Sequence, residues 1–148
     1  MKKIYLLALI VLGLTKMSIA QVTVAGSTGA NGVYTSLTQA AGAFFALNLA
    51  GSQAGNNILI TITADVLTED GAFPLNGNGW TTLTINPTGG AARILSGTVN
   101  GPLVSLTGTS NVTINGLNSG GNTLTISNTN TGSSASTIRF IKDRKSVV

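Results

Sequence analysis

Short strings in which Ile, Leu or Val alternates with Thr, Asn or Ser recur along this chain of 148 residues. The clearest copies are Leu83–Asn86, Val112–Asn115 and Leu124–Ser127, and looser copies begin at Ile60 and Ser136. A period of two places the apolar side chains on one face of a β-strand. The copies at Ile60, Leu83 and Val112 start 23 and 29 residues apart. Since a recurrence of about 20–50 residues is typical of solenoids, the sequence predicts an all-β solenoid of about three coils.

The period of the apolar positions changes between residues 36 and 49. Ser36 and Gln39 have the spacing of a capping box, and Gly51 is a suitable stop signal. The apolar residues between them follow helical intervals: Leu37, Ala40, Ala41, Phe44 and Leu47. We therefore predict an amphipathic helix over 36–49 that caps the first coil. A membrane-active or partner-binding helix is the alternative, disfavoured because the polar side carries no Lys or Arg.

The chain divides into four segments. Residues 1–20 read as a signal peptide: Lys2 and Lys3 precede an apolar run over 4–14, and Ser18 and Ala20 suit cleavage before Gln21. That run is too short to span a bilayer, so we expect a secreted or outer-surface protein without stable membrane insertion after cleavage; an uncleaved anchor is the alternative. Residues 21–57 are predicted to form the N-terminal strand and capping helix, and residues 58–141 the coils.

The last residues break the pattern of the coils. Arg144 and Lys145 are adjacent basic residues, and the segment 143–148 back-translates into a common sequencing adapter. We interpret 142–148 as a non-native tail and the chain as an N-terminal fragment; a solvated basic terminus is the alternative. A solenoid cut at residue 141 leaves its last strand edges open, so we expect self-association through that end.

The formal net charge of +4 does not describe the body of the chain. Six of the eight basic residues lie in the leader and the tail. Residues 21–141 keep two basic residues, Arg93 and Arg139, against three acidic ones, Asp65, Glu69 and Asp70. A body with so few cations offers no basic face for nucleic acid.

Candidate chemistry is sparse. The chain has no Cys and no His, so it lacks thiolate ligands and the usual general base that a Ser nucleophile needs. Calcium takes six to eight oxygen ligands, which favours a solvated corner over a metal site at Asp65, Glu69 and Asp70. Arg93 and Arg139 are interpreted as solvated. We predict no catalytic residue, no cofactor and no metal.

Two aromatic residues remain as candidates for binding. Trp80 and Tyr34 have rings of the kind that stack on sugars, but a lone aromatic beside a strand more often packs against the core. We therefore favour packing for both. The Gly89–Gly90 and Gly120–Gly121 pairs are interpreted as corners, because no Lys-Ser or Lys-Thr follows them as a phosphate loop requires.

The sequence from Gly79 to Ile141 resembles the N-terminal part of large secreted bacterial proteins with the pectin lyase-like fold. Proteins of this kind are exported through the type IX system. The segments that carry the resemblance are Leu83–Pro87, Ile94–Gly97, Gly101–Leu103, Asn111–Asn118, Thr123–Asn128 and Ser136–Ile141. The resemblance implies a right-handed parallel β-helix at a cell surface. Enzymes of that fold use clustered Asp residues with Arg or Lys, and the residues present contain no such cluster.

Three functions stay open at this point. The first is a structural, adhesive or carbohydrate-binding protein whose partner is a polysaccharide or another cell-surface component. The second is the N-terminal part of a polysaccharide lyase or glycoside hydrolase whose catalytic coils lie beyond residue 141. The third is a complete small secreted binding module. The absence of a catalytic constellation favours the first.

Overall fold

A computed structural model describes residues 20–142 of the chain. The predicted signal peptide, apart from Ala20, and the predicted tail, apart from Lys142, lie outside the described residues. Eleven strands and one helix follow in this order: β1 (Val22–Ala25), β2 (Gly32–Tyr34), α1 (Ala43–Ala50), β3 (Asn57–Ile62), β4 (Val66–Glu69), β5 (Leu75–Asn76), β6 (Thr82–Pro87), β7 (Arg93–Gly97), β8 (Pro102–Thr107), β9 (Val112–Ile114), β10 (Leu124–Asn128) and β11 (Ser136–Ile141).

The strands form three small sheets. The first has five strands in the order β2-β1-β3-β6-β9, and the other two have three strands each, β4-β7-β10 and β5-β8-β11. From β3 onward each strand pairs in parallel with the strand three places further along the chain. Each of the three sheets therefore takes one strand from each of three successive stretches of sequence.

The prediction of a β-solenoid, and of a right-handed parallel β-helix in particular, is wrong for residues 20–142. The strands lie in three separate small sheets, and only two of these are purely parallel. The five-stranded sheet is mixed, because β1 pairs antiparallel with both β2 and β3. The second sheet is irregular as well, since the register between β4 and β7 shifts between Val66 and Glu69. The predicted register of the repeats is also wrong at its first copy, because Leu83 pairs with Ile58 and not with Ile60.

The predicted amphipathic capping helix over 36–49 is also corrected. The helix is shorter, Ala43–Ala50, and its N-cap is Gly42, whose neighbours supply no side-chain cap. Ser36 does accept a hydrogen bond from the Gln39 amide, 3.2 Å, but inside a turn that precedes the helix. The amides of Leu37 and Thr38 donate to a distant carboxylate instead of entering a helix. A polar outer side is missing too, since Leu49 is 75% exposed.

The period-two alternation places the strands correctly. The burial of β3 and β6 alternates residue by residue, with the Ile side chains and Leu83 inside and the Thr and Asn side chains outside, joined on the outside by Leu59. Inward residues of all three sheets meet in one core together with the helix, whose Phe44 and Leu47 are fully buried. The largest buried core residues of the strands are Ile58, Ile60, Ile62, Leu75, Leu83, Ile85, Leu95 and Leu106. No helix between residues 20 and 142 combines the length and apolar character that crossing a membrane requires.

Candidate functional site

The three acidic residues of the body do not form a cluster. Asp65 follows β3 and accepts a hydrogen bond from the Ile94 amide, 3.0 Å. Asp70 is exposed and accepts from the amide of Ala72, two residues on, at 3.0 Å, as in an Asx turn. Within residues 20–142 no group of three His, Cys, Asp or Glu side chains lies close enough to hold a metal ion.

Glu69 is buried, whereas we expected it to lie in a solvated corner. It ends β4 and is only 2% exposed. Its carboxylate accepts hydrogen bonds from the amides of Leu37, 2.5 Å, and Thr38, 2.7 Å, and from the Thr38 hydroxyl. An ionised carboxylate offers only acceptors, and it tolerates burial when donors surround it. Glu69 is therefore a structural residue that ties residues 37–38 to the second sheet.

The two arginines of the body hold local contacts. The Arg93 Nε donates to the carbonyl of Thr88, 3.0 Å, at the turn between β6 and β7. An Nη2 of Arg139 donates to the Ser105 hydroxyl of the neighbouring strand β8, 3.4 Å. Both contacts stabilise the fold locally, and among residues 20–142 neither arginine forms an ion pair with a carboxylate.

The two aromatic candidates have different environments. Trp80 is 4% exposed and its indole N–H donates to the carbonyl of Ser110, 2.8 Å, so the predicted packing role is confirmed. Tyr34 is half-buried, and its hydroxyl donates to the carbonyl of Ala30, 2.8 Å. Its partial burial disfavours the phenolate and raises the pKa of Tyr34 above its ordinary value of 10.0.

An apolar groove of about 340 Å³ runs along the helix. Its walls are Gly29, Tyr34, Ala41, Phe45, Ala46, Leu49 and Ala50. The Tyr34 hydroxyl is the polar side-chain group in this wall, and its proton already binds the Ala30 carbonyl. The groove has room for a small apolar group, but it offers neither a charge nor a reactive side chain to it.

The outer side of the five-stranded sheet is the most regular surface of the described residues. One row crosses four neighbouring strands, with Thr23 beside Thr61 and Thr61 beside Asn86. The row continues from Asn86 to Asn115, because the residues that precede them, Ile85 and Ile114, are paired. A second row joins Leu59 to Thr84 and Thr84 to Thr113, and a third holds Asn57 and Thr82. We call these three rows the threonine–asparagine face.

The threonine–asparagine face is uncharged. Adjacent strands of a sheet lie about 4.8 Å apart, so five strands span about 19 Å. The sequences of β1, β2, β3, β6 and β9, all within the described residues, contain no charged residue. Cross-strand contacts keep part of the face in place: the Thr82 hydroxyl donates to Oδ1 of Asn57, 2.8 Å.

One acceptor on this face lacks a partner. The Oδ1 atom of Asn86 is buried and has no hydrogen bond among the described residues. A buried carbonyl that loses its water without gaining a donor costs about 1–3 kcal/mol. Asn86 lies in the middle of the first row, between Thr61 and Asn115. Because this oxygen is buried, it is not exposed to a ligand that lies on the face.

The face can recognise hydroxyl groups but carries no group that would break bonds. Thr hydroxyls and Asn amides each donate and accept hydrogen bonds, and the rows repeat them at strand spacing. Sequence reasoning noted these Thr and Asn residues only as the outward half of strands. The face could have been found by aligning the three strings that begin at Ile58, Leu83 and Val112, because the structure sets these strings in one register.

The chain matches no protein-family model, no curated protein and no solved structure. The resemblance to pectin lyase-like and type IX-exported proteins stays a prediction, and the function has to be argued from the residues themselves.

Proposed function

We propose that this is an exported structural and adhesive protein that binds a neutral polysaccharide through the threonine–asparagine face. The single observation that carries the proposal is that face: three rows in register across an uncharged sheet, made of Thr and Asn side chains and interrupted by Leu59. The predicted leader supports export, because its basic start, apolar run and small residues before Gln21 have the order of a signal peptide.

The chemistry of the face selects the class of polymer. Sugar hydroxyls both donate and accept, as do the Thr and Asn side chains of the rows. An acidic polysaccharide would lose the hydration of its carboxylates against a surface that has no cation to compensate. A neutral polymer suffers no such penalty. Trp80 is buried, so it adds no stacking surface, and we expect weak binding that gains strength from repeated contacts along the polymer.

The test measures the binding of the purified chain to insoluble cellulose, chitin and β-1,3-glucan, with a polygalacturonate gel as the anionic comparison. The test variant is Thr82→Lys/Thr113→Lys, which places two ammonium groups on exposed positions of the face. The matched control is Thr123→Lys/Thr125→Lys, which changes two exposed threonines at the start of β10, in another sheet. Circular dichroism verifies that both variants keep their strands.

We expect the wild-type chain to bind at least one neutral polymer and to ignore the polygalacturonate gel at physiological ionic strength. The test variant should lose most of the bound fraction, while the control should keep it. A wild-type chain that binds none of the neutral polymers would refute the proposal. An equal loss of binding in the test and control variants would show that the polymer binds elsewhere than on this face.

A further inference from the structure

The second row of the threonine–asparagine face differs from the other two because it includes apolar side chains. Leu59 of β3 lies beside Thr84 of β6 in this row. The pairing of β1 with β3 extends the row in the other direction, where Ala25 lies beside Leu59. Both apolar residues are exposed, and Leu59 is exposed to 41%. A ligand that covers this row therefore needs an apolar side as well as hydroxyl groups.

Polar side chains lie on both sides of Leu59 along its own strand. Asn57 and Thr61 are two residues before and after it on β3, so each is about 7 Å from it along the strand. On the neighbouring strand β6, Thr82 and Asn86 occupy the places beside Asn57 and Thr61. An apolar side chain therefore lies between two lines of side chains that form hydrogen bonds.

The order polar, apolar, polar along β3 matches the two kinds of surface on a sugar ring. A pyranose whose substituents are all equatorial presents C–H groups on its two faces and hydroxyl groups around its edge. With a ring face on Leu59, the hydroxyls of the edge point towards the two outer rows, where Thr and Asn side chains donate and accept hydrogen bonds. A ring with an axial hydroxyl on that face would lose the hydration of this group against Leu59. The arrangement therefore favours sugars with equatorial substituents.

The spacing of the row selects the linkage between the sugars. The row runs across the strands, so its successive positions on β1, β3, β6 and β9 are about 4.8 Å apart. An extended β-1,4-linked chain advances by nearly the same distance with each sugar, so it can follow the row from strand to strand. Chains with β-1,3 or α-1,4 linkages coil, and their successive sugars turn away from a straight row. The repeat of the row therefore favours the β-1,4 linkage.

We propose that the threonine–asparagine face binds an extended β-1,4-linked polymer of equatorial sugars, the chemistry that cellulose and chitin share. The polymer lies along the second row, perpendicular to the strands, with one ring face on Leu59 and its hydroxyl edges on the outer rows. The inference rests on the proposed binding of a neutral polysaccharide and narrows it to one linkage. The strands of the row, all within the described residues, contain no charged residue, as a neutral polymer requires.

The experiment measures binding isotherms of the purified chain on cellulose, chitin, β-1,3-glucan and starch. The test variant is Leu59→Asn, and the matched control is Leu67→Asn, which changes a leucine that is 59% exposed on β4 of another sheet. Circular dichroism verifies the strands of both variants. We expect dissociation constants for cellulose, chitin or both that are about 10-fold lower than for β-1,3-glucan and starch. Leu59→Asn should raise them about 10-fold, because it removes apolar contact with the ring, and Leu67→Asn should leave them unchanged.

The outcomes separate this inference from the proposed function. Binding to β-1,3-glucan or starch that equals or exceeds binding to cellulose and chitin would overturn the inference and leave the proposed function standing. Binding to none of the four polymers would refute both. A Leu59→Asn variant that binds like the wild type would show that no ring lies on this leucine. Soluble cello-oligosaccharides provide a second measurement: since the row crosses four strands, affinity should rise with length up to about four sugars. An affinity that does not depend on length would contradict alignment along the row.

Discussion

At the scale of single residues, Glu69 determines how the beginning of the chain meets the sheets. Its buried carboxylate accepts from the amides of Leu37 and Thr38 and from the Thr38 hydroxyl. These donors are 31 and 32 residues away in sequence. The helix does not run on from Ser36 because Ala41 has a positive φ of 60° and Gly42 is extended, and both conformations lie outside the helical range.

Glu69→Gln should lower the free energy of unfolding by about 2 kcal/mol, because the amide presents an N–H where backbone donors already point. Urea denaturation at one fixed protein concentration measures the change. Asp70→Asn is the matched control: it alters the exposed neighbouring acid, and its Oδ1 can still accept from Ala72. We expect a change within about 0.5 kcal/mol for this control. Equal effects of the two substitutions would contradict the structural role of Glu69.

At the scale of elements, the close approach of β4 and β7 depends on a residue without a side chain. Gly97 pairs with Glu69 at the end of these strands. A Cβ added to Gly97 would lie 1.9 Å from the carbonyl oxygen of Glu69 and 2.7 Å from Cδ1 of Leu103. Both distances are far below van der Waals contact, and one neighbour is backbone that cannot rotate away. The second sheet can therefore close at this point only around glycine.

Gly97→Ala should destabilise the protein by about 3 kcal/mol, because the strands have to separate to admit the methyl group. The control is Gly90→Ala in the turn before β7, where an added Cβ meets no atom within 4 Å. There the loss of chain entropy in the unfolded state should stabilise the protein by about 0.5 kcal/mol. Thermal unfolding of both variants measures the two effects. A Gly97→Ala protein as stable as wild type would show that β4 and β7 do not pack this closely.

At the scale of the whole molecule, we expect the central strands to be more ordered than the last three strands that the structure describes. The central strands β6, β7 and β8 have neighbours on both sides, whereas β9, β10 and β11 have one each among the described residues. The inward residues of the last three strands are also less buried than those of the central strands. Local opening is easiest where few apolar contacts hold the backbone.

Amide hydrogen exchange of the purified chain should therefore be slower in β6, β7 and β8 than in β9, β10 and β11. Mass spectrometry of peptides taken after different exchange times measures the difference. Equal protection of the two groups of strands would contradict the graded burial.

The positions of the strands and the inward side of each strand are properties of the sequence alone. Ile, Leu and Val alternate with Thr and Asn at a period of two, and this local pattern decides which side chains avoid water. The sequence also contains part of the candidate face, because Asn86 and Asn115 occupy equivalent places in two similar strings, but the copy that it placed at Ile60 is two residues away from the register that sets Thr61 beside Asn86. It predicted the packing of Trp80 as well, since a lone aromatic beside a strand usually joins the core.

The tertiary structure decided what depends on partners distant in sequence. Strand periodicity does not say which strand pairs with which or in which direction, so the antiparallel β1 and β2 and the division into three small sheets were not predictable from it. The burial of Glu69 depends on amides more than 30 residues away, and charge alone suggested a solvated corner. The positive φ of Ala41 and the extended backbone of Gly42 move the start of the helix from Ser36 to Ala43. The local alternation of residues decides which side chains are buried away from water, whereas contacts between residues distant in sequence decide which partners those side chains have.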